Sequence, residues 1–156
     1  MTDARSLHGR ILTPLGWRRG HVHFDSHVRQ LQVDDHSGAD DPQLPVILPG
    51  FIDLHVHGAA GVDLMQGGDV ARTIARTHLR FGTTTLLATT MTAGLDEIAH
   101  ALQGVAAAMA APDADAACIA GVHLEGPFIS PQRLGAQPNR TLEATLALVQ
   151  QLHALA

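Results

Sequence analysis

With 156 residues the chain has the length of one ordinary domain and enough apolar side chains to bury a core. Its formal net charge of -5, without any basic cluster, argues against nucleic acid as a partner, and its ten cations are all arginine, so no lysine is present to bridge metals or form a Schiff base. Hydrophobic residues make up 46% but aromatics only 3%, and no apolar run reaches the ~18 residues of a membrane span, so no membrane partner is expected. Met1–Arg10 is charged and lacks an apolar stretch, and the lone Cys118 cannot close an internal disulfide; a cytoplasmic protein without a secretory signal is the expectation.

The first part of the chain reads as a small β layer. From about Leu7 to Val33, short strands are expected between breaks at Pro14, Gly16 and Gly20, with apolar and polar residues alternating in His21-Val22-His23-Phe24-Asp25 and again from Val28 to Val33. His21 and His23 form a His-x-His pair, but no carboxylate or third ligand follows at useful spacing, so a half-exposed strand with histidines on its polar face is the economical reading. Asp34 to Gln43 is acidic and turn-rich, a surface loop. Leu44 to Pro49 returns to the core, which places a domain boundary between residues 1–48 and 49–156.

From Pro49 the pattern becomes strand, helix, strand, helix, which points to a parallel α/β arrangement. A strand ending at His57 is followed by a loop to Gly68, then by a helix capped by Asp69 and running to about Phe81. Val70, Ile74, Thr77 and Leu79 form its expected inner side, and Gly82 stops it. Thr83 to Met91 is a second strand, whose threonines read as strand formers rather than nucleophiles. A helix from Leu95 to about Ala111 ends at Pro112. Asp113 and Asp115 then read as solvated surface charge ahead of a third strand, Ala116 to Leu124. Thr141 to Ala156 has the composition of a third helix with Thr141 as cap.

Two strand ends carry the chemistry. In PGFIDLHVHG, strand alternation puts Phe51, Asp53, His55 and His57 on one face and Ile52, Leu54 and Val56 on the other. The same parity pairs His123 with Glu125 in GVHLEGPF, against Val122 and Leu124. If both polar faces line a closed β/α barrel, His55, His57 and Glu125 converge on one divalent ion, with zinc suited to this ligand set and iron or manganese also compatible. An open position on such an ion acidifies water and so generates a hydrolytic nucleophile. Asp53 either hydrogen-bonds a ligand imidazole or closes the barrel floor, and His123 is expected as a lower-layer lining residue.

The strings PGFIDLHVHG, FGTTTLLATTMT and GVHLEGPFISPQRLGAQP, together with the opening GRILTP, resemble the amino-terminal part of the N-acetylglucosamine-6-phosphate deacetylases of the amidohydrolase superfamily. The resemblance implies a (β/α)8 barrel of which this chain holds the first three units, preceded by a small β domain. It implies metal ligation by His55, His57 and Glu125, and amino-sugar contacts at Ala136 and Gln137. The family commonly has histidine where Gln137 stands. It further implies a phosphorylated amino-sugar substrate, a homodimer as the full-length protein, and a general base and phosphate grip beyond the residues present, with Arg133 and Arg140 near the substrate loop. A non-catalytic fragment or split-gene product, and another amidohydrolase acting on a cyclic amide or amine, are the competing readings.

Overall fold

The computed structural model describes residues 5–34 and 41–155, so most of the expected loop from Asp34 to Gln43 lies outside the described residues. The chain divides into two compact units, Met1–Pro49 and Gly50–Ala156. In the first, β1 (Arg5–Thr13), β2 (Gly16–Phe24) and β3 (Val28–Val33) form an antiparallel meander, and β4 (Val46–Ile47) runs parallel to β1, giving the order β3-β2-β1-β4. Pro14 and Gly16 do mark the turn, where Gly16 takes a φ of 92°. Gly20 does not break a strand. It pairs with Gly9 in mid-ladder, and a Cβ there would lie 2.0 Å from the Gln32 carbonyl oxygen, so glycine is required by close backbone approach. Val22 and Ile11 are buried while His21 and His23 are half-buried, as the alternation predicts.

The second unit is built on a parallel sheet of β5 (Phe51–Val56), β8 (Thr83–Thr89) and β9 (Cys118–His123), ordered β5-β8-β9. Between β5 and β8 lie a two-residue ribbon, β6 (Gly58–Ala59) with β7 (Val62–Asp63), a short 3-10 turn (Leu64–Gln66) and helix α1 (Val70–Leu79). Helix α2 (Leu95–Ala110) joins β8 to β9, and α3 (Leu146–His153) follows a long loop. The main core sits between the sheet and the first two helices: Val56, Leu86 and Ala88 pack against Ala71, Ile74 and Ala75 of α1 and Val105 and Ala108 of α2. A second cluster joins Ile98 and Leu102 of α2 to Leu152 of α3.

Several local expectations shift. Of the expected inner side of α1, Ile74 is buried and Val70 and Leu79 pack partly buried against the core, while the small residues Ala71 and Ala75, not Thr77, complete the buried face and let the helix approach the strands. Asp69 occupies the cap position of α1 but makes no capping bond; its carboxylate pairs with Arg72 at 3.0 Å. The third helix starts at Leu146, not Thr141, with Thr145 Oγ1 accepting from the Leu148 N–H at 3.3 Å. Asp113 is no solvated surface charge. It is half-buried between Arg72 at 3.2 Å and Arg76 at 3.0 Å, and Arg72 also donates to the Ala107 and Ala111 carbonyls at the end of α2. Asp115 remains exposed and pairs with Arg76 at 3.4 Å.

The start of α2 is held by charge. Glu97 Oε2 accepts from the Gly94 N–H at 3.0 Å and receives Arg140 at 2.5 Å. The Gly94 N–H, and after it the Arg140 guanidinium, hold the Glu97 carboxyl below the usual carboxylate range. A carboxyl whose folded pKa is depressed stabilises the fold fully above its unfolded pKa and loses that contribution as pH falls through the folded value. Glu97→Gln should therefore lower the melting temperature at neutral pH, with the gap to the parent closing as the pH is taken into the acid range. A gap that persists unchanged in acid would contradict the capping role.

Candidate metal centre

Three chain segments meet at the carboxyl ends of the parallel strands. β5 delivers His55 and, one residue past its end, His57; Glu125 lies two residues beyond β9. The His55 and His57 Nε2 atoms are 2.9 Å apart, and Glu125 Oε2 lies 3.2 Å from the first and 3.0 Å from the second. A tetrahedral ion with ligands at about 2.0–2.1 Å separates them by about 3.3 Å, so these three atoms already stand near the edges of such a polyhedron. Among the described residues this is the one group of three or more histidine, cysteine or acidic side chains close enough to share an ion.

The donor chemistry also fits a cation. The Thr89 carbonyl oxygen lies 3.1 Å from His57 Nδ1. A carbonyl only accepts, so Nδ1 carries the proton and Nε2 keeps its lone pair facing His55 and Glu125. Glu125 Oε2 is buried and has no hydrogen-bond partner of good geometry among the described residues. The His57 lone pair and a carboxylate oxygen both face His55 Nε2, so a shared cation or a proton on His55 must lie among the three atoms. The side chains keep partial solvent access, 49% for His55, 33% for His57 and 30% for Glu125, which leaves room for further ligands.

β8 is the brace of this arrangement. Thr89 is fully buried; its Oγ1 accepts from the Val56 N–H at 2.9 Å while its carbonyl orients His57. The β5–β8 register is irregular between Asp53 and Val56, where the ladder would otherwise supply that acceptor. The sequence offered only the threonine-rich end of the second strand as a signal for this role. Asp53 does something neither expected reading assigned it: its Oδ1 accepts from the His55 backbone N–H at 3.1 Å. His123 is absent from the ligand group and sets its ring against His55 edge-on, 4.8 Å between centroids. The opposite face of β5 departs from expectation, since only Val56 is buried while Ile52 and Leu54 are 68% and 62% exposed. β5 is an edge strand paired with β8 alone, and no described helix of this unit covers those two positions.

The loop after Glu125 is pinned to the same strand ends. A Cβ at Gly126 would meet Thr92 Oγ1 at 2.0 Å, so this close approach needs glycine. Gln137 is half-buried, with Oε1 accepting from the Thr92 N–H at 2.7 Å and Nε2 3.4 Å from Met91 Sδ. Its amide is thus engaged beside β8 rather than with His55, His57 or Glu125. Ala136 and Arg133 are exposed, and Arg140 is taken up by Glu97.

Residues 46–156 match the amidohydrolase family, and the chain belongs to it. It is 41% identical over 113 residues to the N-acetylglucosamine-6-phosphate deacetylase of Lysinibacillus sphaericus, covering 72% of this chain and 28% of that protein. It is 37% identical over 141 residues to the N-acetylgalactosamine-6-phosphate deacetylase of Escherichia coli O157:H7, covering 83% and 34% respectively. The crystal structure of the N-acetyl-D-glucosamine-6-phosphate deacetylase of Mycobacterium smegmatis superimposes with a TM-score of 0.75 at 28% identity, over 96% of this chain and 43% of that one. The chain therefore spans roughly a quarter to two fifths of the length of these relatives.

If the three side chains form the centre, His57→Ala or Glu125→Gln should abolish zinc binding there, read by titration calorimetry. Thr89→Val leaves the Val56 N–H without its acceptor, at a cost of about 1–3 kcal/mol, and should lower both melting temperature and zinc affinity. Unchanged zinc affinity in all three variants would contradict the assignment.

Proposed function

We propose that this chain is the amino-terminal part of a metal-dependent amidohydrolase that removes the acetyl group from N-acetylglucosamine 6-phosphate. The observation that carries the reading is the convergence of His55, His57 and Glu125 at the ends of parallel strands, in a chain whose relatives of known name deacetylate amino-sugar phosphates. On this reading β5, β8 and β9 with their helices are the first three units of a (β/α)8 barrel, and the meander before them is a small β domain. The open edges of β5 and β9, and the exposed Phe51, Ile52 and Leu54, are the surfaces on which further strands and helices would close.

His55, His57 and Glu125 would hold a divalent ion, zinc first among the candidates, which when bound would supply a Lewis acid for the amide carbonyl oxygen and acidify water. The chain's own residues prepare that chemistry. Thr89 holds the His57 proton on Nδ1, Asp53 fixes the backbone of His55, and Glu125 offsets the ion's charge. Ala136 and Gln137 are assigned to the amino sugar, on a loop that Gln137 itself ties to Thr92. No residue of this chain is assigned as general base; the carboxylate that passes a proton to the leaving amine belongs to later barrel strands, as does most of the phosphate grip. The full-length enzyme is assigned a dimer and a cytoplasmic location.

One observation favours a second reading. The relative from Escherichia coli O157:H7 is named for the galactose epimer, and Gln137 stands where the resemblance to the family implies a substrate-contacting histidine, so both epimers belong in the assay. The full-length protein should release acetate from at least one of the two 6-phosphates, and His55→Ala should cut kcat/KM at least about a hundredfold, a loss of about 2.7 kcal/mol of transition-state stabilisation. The 156-residue chain alone should be inactive. Full turnover by His55→Ala would overturn the proposal.

A further inference from the structure

The segment after Glu125 leaves the end of β9 and closes on itself. The Leu142 N–H donates to the Pro127 carbonyl at 2.9 Å, which ties the two ends of the intervening loop together. Within it the Gln137 N–H donates to the Leu134 carbonyl at 3.0 Å, in a turn where Gly135 takes a φ of 61°. That turn turns the Gln137 side chain toward the residues just past β8. An amide carries one acceptor and one donor group on a single plane, and here both are spent: Oε1 accepts from the Thr92 N–H at 2.7 Å, and Nε2 stands 3.4 Å from Met91 Sδ. Thr92 is 1% exposed, so without Gln137 its N–H has no water to turn to. The same residue faces Gly126, where a Cβ would come within 3.2 Å of the Thr92 Cα. Thr92 therefore meets the loop twice, at Gln137 and at the residue that follows Glu125.

We propose that Gln137 is a positioning residue for the metal centre: its amide latches the loop to the end of β8 through Thr92, and Thr92 in turn fixes the backbone at Gly126 and so the place of Glu125. Glu125 depends on its backbone for this. Its Oε2 is buried and has no hydrogen-bond partner of good geometry among the described residues, so nothing outside the donor group steers that oxygen. The loop's other side-chain anchor, Arg140 on Glu97, is exposed on both sides, at 52% and 54%, where solvent screens an ion pair. The bonds of Gln137 are the sheltered ones, because it is half-buried and its partner Thr92 is buried. A consequence rests on the function proposed above: the Gln137 position meets an amino sugar through its backbone, since its side chain is committed to β8.

The test uses the 156-residue chain, with and without zinc. In metal-free buffer, hydrogen exchange followed by NMR should show the Thr92 amide protected in the parent, at least about tenfold less protected in Gln137→Leu, and protected again in Gln137→Glu, which keeps the acceptor. The amides of Val56 and Thr90, bonded to Thr89 Oγ1 and the His123 carbonyl, should not change, which separates loss of the latch from general unfolding. In titration calorimetry Gln137→Leu should bind zinc about tenfold more weakly than the parent, as when a residue behind a metal ligand is removed. Equal protection of Thr92 in the parent and Gln137→Leu would overturn the latch. Equal zinc affinity in the two, or no zinc binding by the parent, would overturn its link to Glu125. The exchange measurement needs no metal, so a failed metal centre and a failed latch give different results.

Discussion

The second unit depends on one electrostatic constraint: two imidazole nitrogens and a carboxylate oxygen lie within 3.2 Å of one another at the ends of two strands that are not adjacent. β5 and β9 flank β8, and neither touches the other in the sheet. Their ligands meet only because β8 sets the height of both strands. Thr89 does this for β5 through its hydroxyl and carbonyl, and the Thr90 N–H does it for β9 by donating to the His123 carbonyl at 3.1 Å. Adjacent positions at the end of one strand thus position both halves of the donor set.

The helices supply the stiffness this geometry needs. Small residues on α1 and α2 let both pack closely on Val56, Leu86 and Ala88, so the strand ends project from a dense layer. On the opposite, polar side, the imidazoles and carboxylate retain solvent access, as an ion that must exchange ligands with a substrate requires. Burying one face and opening the other is a direct consequence of strand alternation, and it explains why apolar Val56 and polar His57 can be neighbours in sequence and serve opposite layers.

The fold was legible wherever a period or a strong punctuator was present. α2 runs one residue short of its expected end, and the three parallel strands fall within two or three residues of their expected bounds. The convergence of His55, His57 and Glu125 was legible in part: parity pairs His55 with His57 on one strand and His123 with Glu125 on another, and only the expected β/α arrangement brings the two strand ends together. What escaped depended on contacts between segments distant in sequence. Nothing local reveals that Thr89 would replace a missing ladder acceptor, that Asp113 would be sandwiched by two arginines, or that Gly20 marks close approach rather than a break. Thr141 and Thr145 are equally good caps by residue type, and packing of Leu152 against Ile98 and Leu102 selects the later start.

Anomalous diffraction at the zinc edge from zinc-soaked crystals of the chain decides whether the donor triad holds an ion. A peak bonded to His55 Nε2, His57 Nε2 and Glu125 Oε2 together is expected. A fully soaked crystal with no peak within bonding distance of those three atoms would contradict the metal-centre assignment.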